Sequence, residues 1–335
     1  MAVVGLPGSG RTSLANALLS AVTFGEGGAA PAPEPGHWVR IDADGRRLDW
    51  LELPAELPRD ALLELSHRAF EETVPDILIG AVEAGAEERA AGPLHESLSA
   101  VLGQLGDRPG GKPPVLVLLT KADALQPAAS PPAEKEPEIE AALARVRRAL
   151  ADLGQPDEAF LALAALPNDG SERWNVARVG EQIVERLPDD AKLEGVRAFE
   201  VGKEARRRVA RALVNSCSAL AITVGLAPIP FADAFLLLPL QAAMVTGVAY
   251  LSGRPWSRRA AAEWLASVGV VGGAGLGLRW GAQQLVKLVP GAGALVGAGV
   301  AGAGTLAIGR SAMAYFIDGP GGISRRLELR ADNAA

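Results

Sequence analysis

Apolar residues fall into two rhythms along this chain of 335 residues. Over positions 1–190, short apolar runs alternate with longer stretches that mix polar and apolar residues at helical spacing. The runs Ala2-Val3-Val4, Asp76–Val82, Pro114–Leu119 and Phe160–Leu163 predict strands, and Pro114–Leu119 reads as buried on both faces. Ser13–Leu19, Arg59–Thr73, Glu87–Leu105, Ile139–Leu153 and Val176–Leu187 predict helices. His37–Asp42 and Arg47–Glu52 read as paired strands around Asp44-Gly45, a strong hairpin turn signal. Loops rich in Gly, Pro and Ala fill Phe24–Gly36 and Gln126–Glu138. Strands alternating with helices give an α/β fold: a mostly parallel sheet with helices on both faces and ligand at the strand carboxyl ends.

From about Lys192 the rhythm changes. Lys203, Arg206, Arg207, Arg208 and Arg211 form a basic helical segment, after which Asp233 is the only charged side chain as far as Leu251. Pro228-Ile229-Pro230 divides this run into two apolar helices, each near the ~17-residue minimum for a bilayer span. Asp233 reads either as the N-cap of the second arm or as an intramembrane carboxylate. Leu265–Leu278 and Leu288–Gly309 are again uncharged. In the latter, Gly293, Gly297, Ala301, Thr305 and Gly309 recur at every fourth position, which lays small residues along one helix face and lets another helix approach closely. Gly319 onward reads as a tail.

Composition removes several function classes. A net charge of −6 does not favour non-specific nucleic-acid binding, and no nucleic-acid partner is expected. The single cysteine, Cys217, lies in an apolar run and reads as an inert thiol in a reducing compartment. His37, His67 and His95 are scattered without metal-ligand spacing. Met1 directly precedes the first strand, so no signal peptide is expected and the N-terminal half is placed in the cytoplasm.

The chemistry concentrates at strand ends. Gly5-Leu6-Pro7-Gly8-Ser9-Gly10-Arg11-Thr12 follows the first strand and leads into the first helix at Ser13. Strand, glycine loop and helix is the context of a phosphate-binding P-loop, whose backbone N–H groups turn inward around a polyphosphate while the helix dipole assists. Thr12 stands where a hydroxyl would coordinate Mg²⁺. Arg11 stands where the pattern has lysine, and a planar fork in place of a point charge is not a conservative exchange. At the end of the hairpin, Glu52 takes the place of a second acidic residue for the Mg²⁺ shell, and the Ala55 N–H that of a γ-phosphate donor. Thr23 either ends the first helix or reaches toward the metal.

Past the buried strand Pro114–Leu119 comes Thr120-Lys121-Ala122-Asp123. A carboxylate there accepts two parallel hydrogen bonds from guanine N1–H and its N2 amino group, a donor pair adenine lacks. The Lys121 stem can lie along the base while its ammonium stays near the phosphate loop.

With these motifs, residues 1–190 resemble the Era-like branch of small GTPases. Gly5–Thr12 matches the first motif of that family, and Glu52-Leu53-Pro54-Ala55 aligns with Asp-Thr-Pro-Gly. Thr120–Asp123 matches Asn/Thr-Lys-x-Asp, and Ala164-Ala165-Leu166 sits at Ser-Ala-Leu. The resemblance implies GTP/GDP and Mg²⁺ as ligands. It assigns phosphate to Gly5, Gly8, Ser9, Gly10, Arg11, Thr12 and Ser13, and guanine to Thr120, Lys121, Asp123, Ala164 and Ala165. Thr12 and Glu52 would take the metal. Arg11, Glu52 and Ala55 depart from the pattern, and Glu56 stands where some GTPases carry a water-orienting glutamine, so nucleotide binding is better supported than hydrolysis. Residues 200–318 resemble the uncharacterised domain of YcjF-type bacterial membrane proteins, through Pro228–Asp233, Lys287–Gly293 and Gly309-Arg310.

The expected organisation is therefore a GTPase-like P-loop domain at 1–190, an all-α, strongly apolar domain at 191–318 and a tail at 319–335. The nucleotide state would be coupled to association of the 212–309 helices with the cytoplasmic face of the inner membrane. Arg211, Arg254, Arg258, Arg259, Arg279, Lys287 and Arg310 against Asp233 and Glu263 suit an anionic lipid surface. Two alternatives stand beside this: a catalytically inactive pseudo-GTPase acting as a scaffold, and a soluble bundle that forms a homo-oligomer or binds a protein partner.

Overall fold

The computed structural model describes residues 1–19, 33–43, 46–106, 112–125, 137–165, 173–199, 201–226, 236–257, 264 and 292–319. Thr23, the Asp44-Gly45 turn, the Pro228–Pro230 break, Asp233, Leu265–Leu278 and the tail from Pro320 lie outside the described residues. The chain divides into two compact units, Met1–Gly202 and Lys203–Ala335.

The first unit is an α/β layer structure. Its strands are β1 (Ala2–Gly5), β2 (Trp38–Ala43), β3 (Arg46–Pro54), β4 (Leu78–Glu83), β5 (Val115–Thr120) and β6 (Phe160–Ala162). They form one sheet in the order β2-β3-β1-β4-β5-β6, parallel except for β2, which runs antiparallel to β3. The hairpin register pairs Arg40 with Asp49, and the guanidinium grips the carboxylate with Nε–Oδ1 2.7 Å and Nη2–Oδ2 3.0 Å. These bonds hold the Asp49 carboxyl below its ordinary range, against partial burial.

Helices α1 (Arg11–Leu18), α2 (Arg59–Glu72), α3 (Glu87–Gly106), α4 (Pro137–Ala149), α5 (Val176–Arg186) and α6 (Asp189–Ala198) cover the sheet. Leu51, Leu53, Leu78, Val82, Val117 and Leu119 pack in one core with Leu62 and Phe70 of α2, Leu94 and Leu98 of α3 and Ile139 of α4. The intervening strand positions, Val3, Trp50, Ile79, Leu116 and Leu118, are buried as well. On that side α1 lies against β1, α6 against β3, and α5 against α1 and α6. Period-two alternation within fully buried strands is why these runs read as unbroken hydrophobic sequence. Helix α6 follows α5 after Pro188 at its N-cap and lies beyond the helix expected over Val176–Leu187.

The second unit contains α7 (Lys203–Leu226), α8 (Leu238–Leu251) and α9 (Ala292–Met313), the last continuing as a π turn over Ala314–Asp318. The basic segment and the first apolar arm are thus one helix. Small residues set the α7–α9 contact: a Cβ on Gly225 would meet the Ala298 Cα at 2.7 Å, and one on Gly309 would meet Val214 at 2.4 Å. The fully buried Thr305 accepts a hydrogen bond from Gln241 Nε2 of α8 at 3.0 Å. The every-fourth spacing of small residues does bring helices together at Ala301, Thr305 and Gly309.

Candidate functional site

The sheet order reverses at β1. The chain runs from β1 out to β2 and β3 on one side, then returns to place β4 on the other. That makes the carboxyl end of β1 a topological switch point, where parallel sheets open a crevice. The loop of residues 5–12 emerges there. Gly8 and Gly10 both hold φ near +80°, a left-handed backbone that glycine alone adopts without strain. Gly10 is also the N-cap of α1, so the loop feeds directly into the helix N-terminus.

The Thr120–Asp123 segment ends on the same side. β5 closes with Thr120, whose hydroxyl donates to the Ser9 carbonyl at 2.8 Å and lies 3.1 Å from that of Val82. Thr120 is buried and thus ties the glycine loop to a strand more than a hundred residues away. Lys121 takes a positive φ of 54°, and Ala122 N–H bonds the Leu163 carbonyl at 3.1 Å. Asp123 follows, half-buried, in a 3-10 turn over Ala122–Leu125. Beyond β6, Ala164 exchanges backbone hydrogen bonds with Trp174, and Ala164 and Ala165 are both buried. The glycine loop and the Thr120–Asp123 segment therefore meet through Ser9, and the Ala164 loop joins the latter through Leu163.

Lys121 Nζ sits 2.8 Å from Glu83 Oε1, at the end of β4. A Cβ on Gly8 would come within 3.7 Å of the other Glu83 oxygen, so the ion pair stands beside the loop. The ammonium does stay near the loop, but on a carboxylate that sequence reasoning passed over. Its signal was present: Glu83 is the first charged residue after the apolar run Leu78–Val82, at a strand carboxyl end.

The metal-assigned residues Thr12 and Glu52 are brought together, and Trp50 and Arg11 join them. Thr12 Oγ1 donates to Glu52 Oε1 at 2.9 Å, and Trp50 Nε1 lies 3.3 Å from the same oxygen. Arg11 Nε lies 3.2 Å from the other carboxylate oxygen, with the two side chains only 13% and 5% exposed. Arg11 Nη1 donates to the Gly5 carbonyl and lies 3.4 Å from that of Leu53. The Ala55 N–H, expected at a γ-phosphate, instead donates to the Gly5 carbonyl at 3.0 Å.

This donor set does not fit a resident Mg²⁺. Mg²⁺ needs near-octahedral oxygen ligation at short range, while both Glu52 oxygens are engaged and a guanidinium stands beside one of them. Two unit charges 4 Å apart repel by ~4 kcal/mol at an effective dielectric near 20, and a divalent ion doubles that.

A groove of about 910 Å³ lies next to the loop, lined in part by Leu6, Pro7, Ala55, Glu56, Arg59 and Arg89. Glu56 is exposed there rather than turned inward.

No family model matches the chain, and no curated protein matches it. Among solved structures it is similar to the FeoB G-domain from Methanococcus jannaschii, at 17% identity and a TM-score of 0.32, over 55% of this chain and 94% of that one. It is also similar to Era solved in complex with MgGDPNP and nucleotides 1506–1542 of 16S ribosomal RNA, at 16% identity and a TM-score of 0.36. That match spans 65% of this chain and 65% of Era. At this distance no residue role passes from either protein to this one.

Proposed function

We propose that the chain is a guanine-nucleotide-binding, GTPase-like protein whose nucleotide state is coupled to a membrane-associated helical unit. The observation that carries the nucleotide half is the Thr120–Ser9 bond of 2.8 Å. It fixes a glycine loop at a helix N-terminus against the segment bearing Asp123, at the switch point of a mostly parallel sheet. Residues 5–13 would cradle the phosphates with backbone N–H groups. Asp123 would read the guanine edge, and Lys121, Ala164 and Ala165 would flank the base.

The test is binding of fluorescent GTP, ATP and XTP to the full chain, as wild type and as Asp123→Asn. GTP preference that moves toward XTP in the variant supports the reading, because the amide replaces an acceptor with a donor. Equal affinity for GTP and ATP in the wild type would overturn it.

The Arg11–Glu52 pair favours a second reading, in which the domain binds nucleotide without turning it over and serves as a scaffold. A turnover assay separates the two, since a scaffold releases no phosphate.

For the helical half, α7 and the stretch Ala298–Asp318 are long and apolar enough to cross a membrane. Only 33% and 39% of their apolar windows are buried within the protein. Leu220 and Leu226 of α7 are 55% and 45% exposed. A lipid surface at the cytoplasmic side of the membrane would cover them.

A further inference from the structure

The loop carries its own cation in a place where it neutralises the acidic residue meant for a metal. Arg11 Nε pairs with Glu52 at 3.2 Å, and Nη1 reaches the carbonyls of Gly5 and Leu53. Nη2 makes no hydrogen bond among the described residues. Glu52 is 4% exposed, and its remaining oxygen takes hydrogen bonds from Thr12 and Trp50. Every acceptor a divalent ion would need at this point is thus satisfied by the protein itself. A guanidinium is weakly hydrated, permanently charged and shaped to bind a phosphate and a carboxylate together.

We infer that this site binds the nucleotide's phosphates without a divalent cation, Arg11 standing in the metal's role, and that the Glu52 carboxylate held on the same guanidinium offsets part of its charge toward phosphate. The inference rests on the nucleotide reading above. It has two consequences. Chelating the metal leaves affinity unchanged, and removing the Glu52 charge frees Arg11 and strengthens phosphate binding.

The experiment measures GDP and GTP affinity of the full chain in excess Mg²⁺ and in EDTA, for wild type, Arg11→Lys and Glu52→Gln. Wild-type affinities in the two buffers agree within about twofold, a difference of ~0.4 kcal/mol. Arg11→Lys becomes metal-dependent, because an ammonium has no second edge with which to hold Glu52 and phosphate at once. Glu52→Gln, close to isosteric, binds several-fold more tightly in both buffers. A wild-type affinity that falls about tenfold or more in EDTA overturns the metal-free site and leaves the nucleotide reading standing. Weaker binding by Glu52→Gln in Mg²⁺ overturns it as well, since that is the behaviour of a metal-shell carboxylate. No binding in either buffer removes both the inference and the reading on which it rests.

Discussion

Exchanging lysine for arginine at position 11 changes which side of the loop the cation serves. A lysine ends in a point charge with three rotatable donors, whereas the guanidinium spreads donors along a rigid edge. Here two of those donors, Nε and Nη1, are turned to Glu52 and to the Gly5 and Leu53 carbonyls. Thr120 acts on the loop from the opposite direction, through one buried hydroxyl. Thr120→Val would leave the Ser9 carbonyl unsatisfied in the interior, at a cost of ~1–3 kcal/mol. The denaturant midpoint should fall accordingly and GTP affinity with it, while Thr120→Ser restores both. An unchanged midpoint and affinity in Thr120→Val would mean that the bond does not position the loop. Thr120 was legible in the sequence as part of a base-reading motif, but its contact with Ser9 was not. Nothing local predicts a bond across 111 positions of sequence separation. Trp50 differs, because its indole N–H reaches Glu52 only two residues along its own strand. A strand neighbour two positions on shares a face, so that contact was available to a reading of alternation. Glu83 stood at a readable strand end, but its place beside Gly8 follows from the strand order and not from the local sequence.

At the scale of elements, β1, β4, β5 and β6 were readable because they are buried along almost their whole length and flanked by polar breaks, and β2 and β3 because a turn signal joins them. Their order across the sheet was not, since it depends on crossovers that leave no trace in hydrophobic rhythm. Helix α6 escaped for a different reason: it buries only Gly195, Val196 and Ala198, too few large apolar residues to set a helical rhythm. In the helical unit, glycine spacing was the most informative sign, and it carries a paired prediction. Gly225→Ala would drive a methyl against the Ala298 backbone, which has no rotamer by which to yield. Overpacking of this kind costs ~1–3 kcal/mol, more than the ~1 kcal/mol that alanine gains over glycine in a helix. Gly299 and Gly304, where an added methyl would meet nothing within 4 Å among the described residues, are the controls. Alanine at either should stabilise by ~0.5–1 kcal/mol. Thermal unfolding of the three variants in one buffer checks the signs. Destabilisation by Gly299→Ala as large as by Gly225→Ala would show that helix packing at Gly225 is not the determinant.

At the scale of the whole molecule, what remains is why an acidic protein carries an apolar, basic-flanked helical half. A soluble bundle buries its apolar helices on all sides, yet α7 leaves Leu220 and Leu226 exposed, and Leu236 and Leu238 at the start of the next helix are 48% and 53% exposed. Helix α8, with 14 residues, rises only ~21 Å and is too short to cross a hydrocarbon core of ~30 Å. A surface-seated or partly inserted unit reconciles a short α8 with a longer α7. Full-length protein should therefore float with vesicles containing anionic phospholipid in detergent-free buffer. Leu220→Gln and Leu226→Gln each remove an apolar side chain whose burial contributes ~1.5–3 kcal/mol, so either should weaken flotation by roughly tenfold or more. Being exposed, neither should move the unfolding midpoint beyond ~0.5 kcal/mol. High salt should weaken flotation too, because Arg211 and Arg254 contribute ~1 kcal/mol each only near a charged surface. Recovery of all the protein in the supernatant, with vesicles present and no detergent, would sink the membrane half of the proposal. The exposed leucines would then have to meet another copy of the chain, and sedimentation across a concentration series would reveal it as a rise in mass.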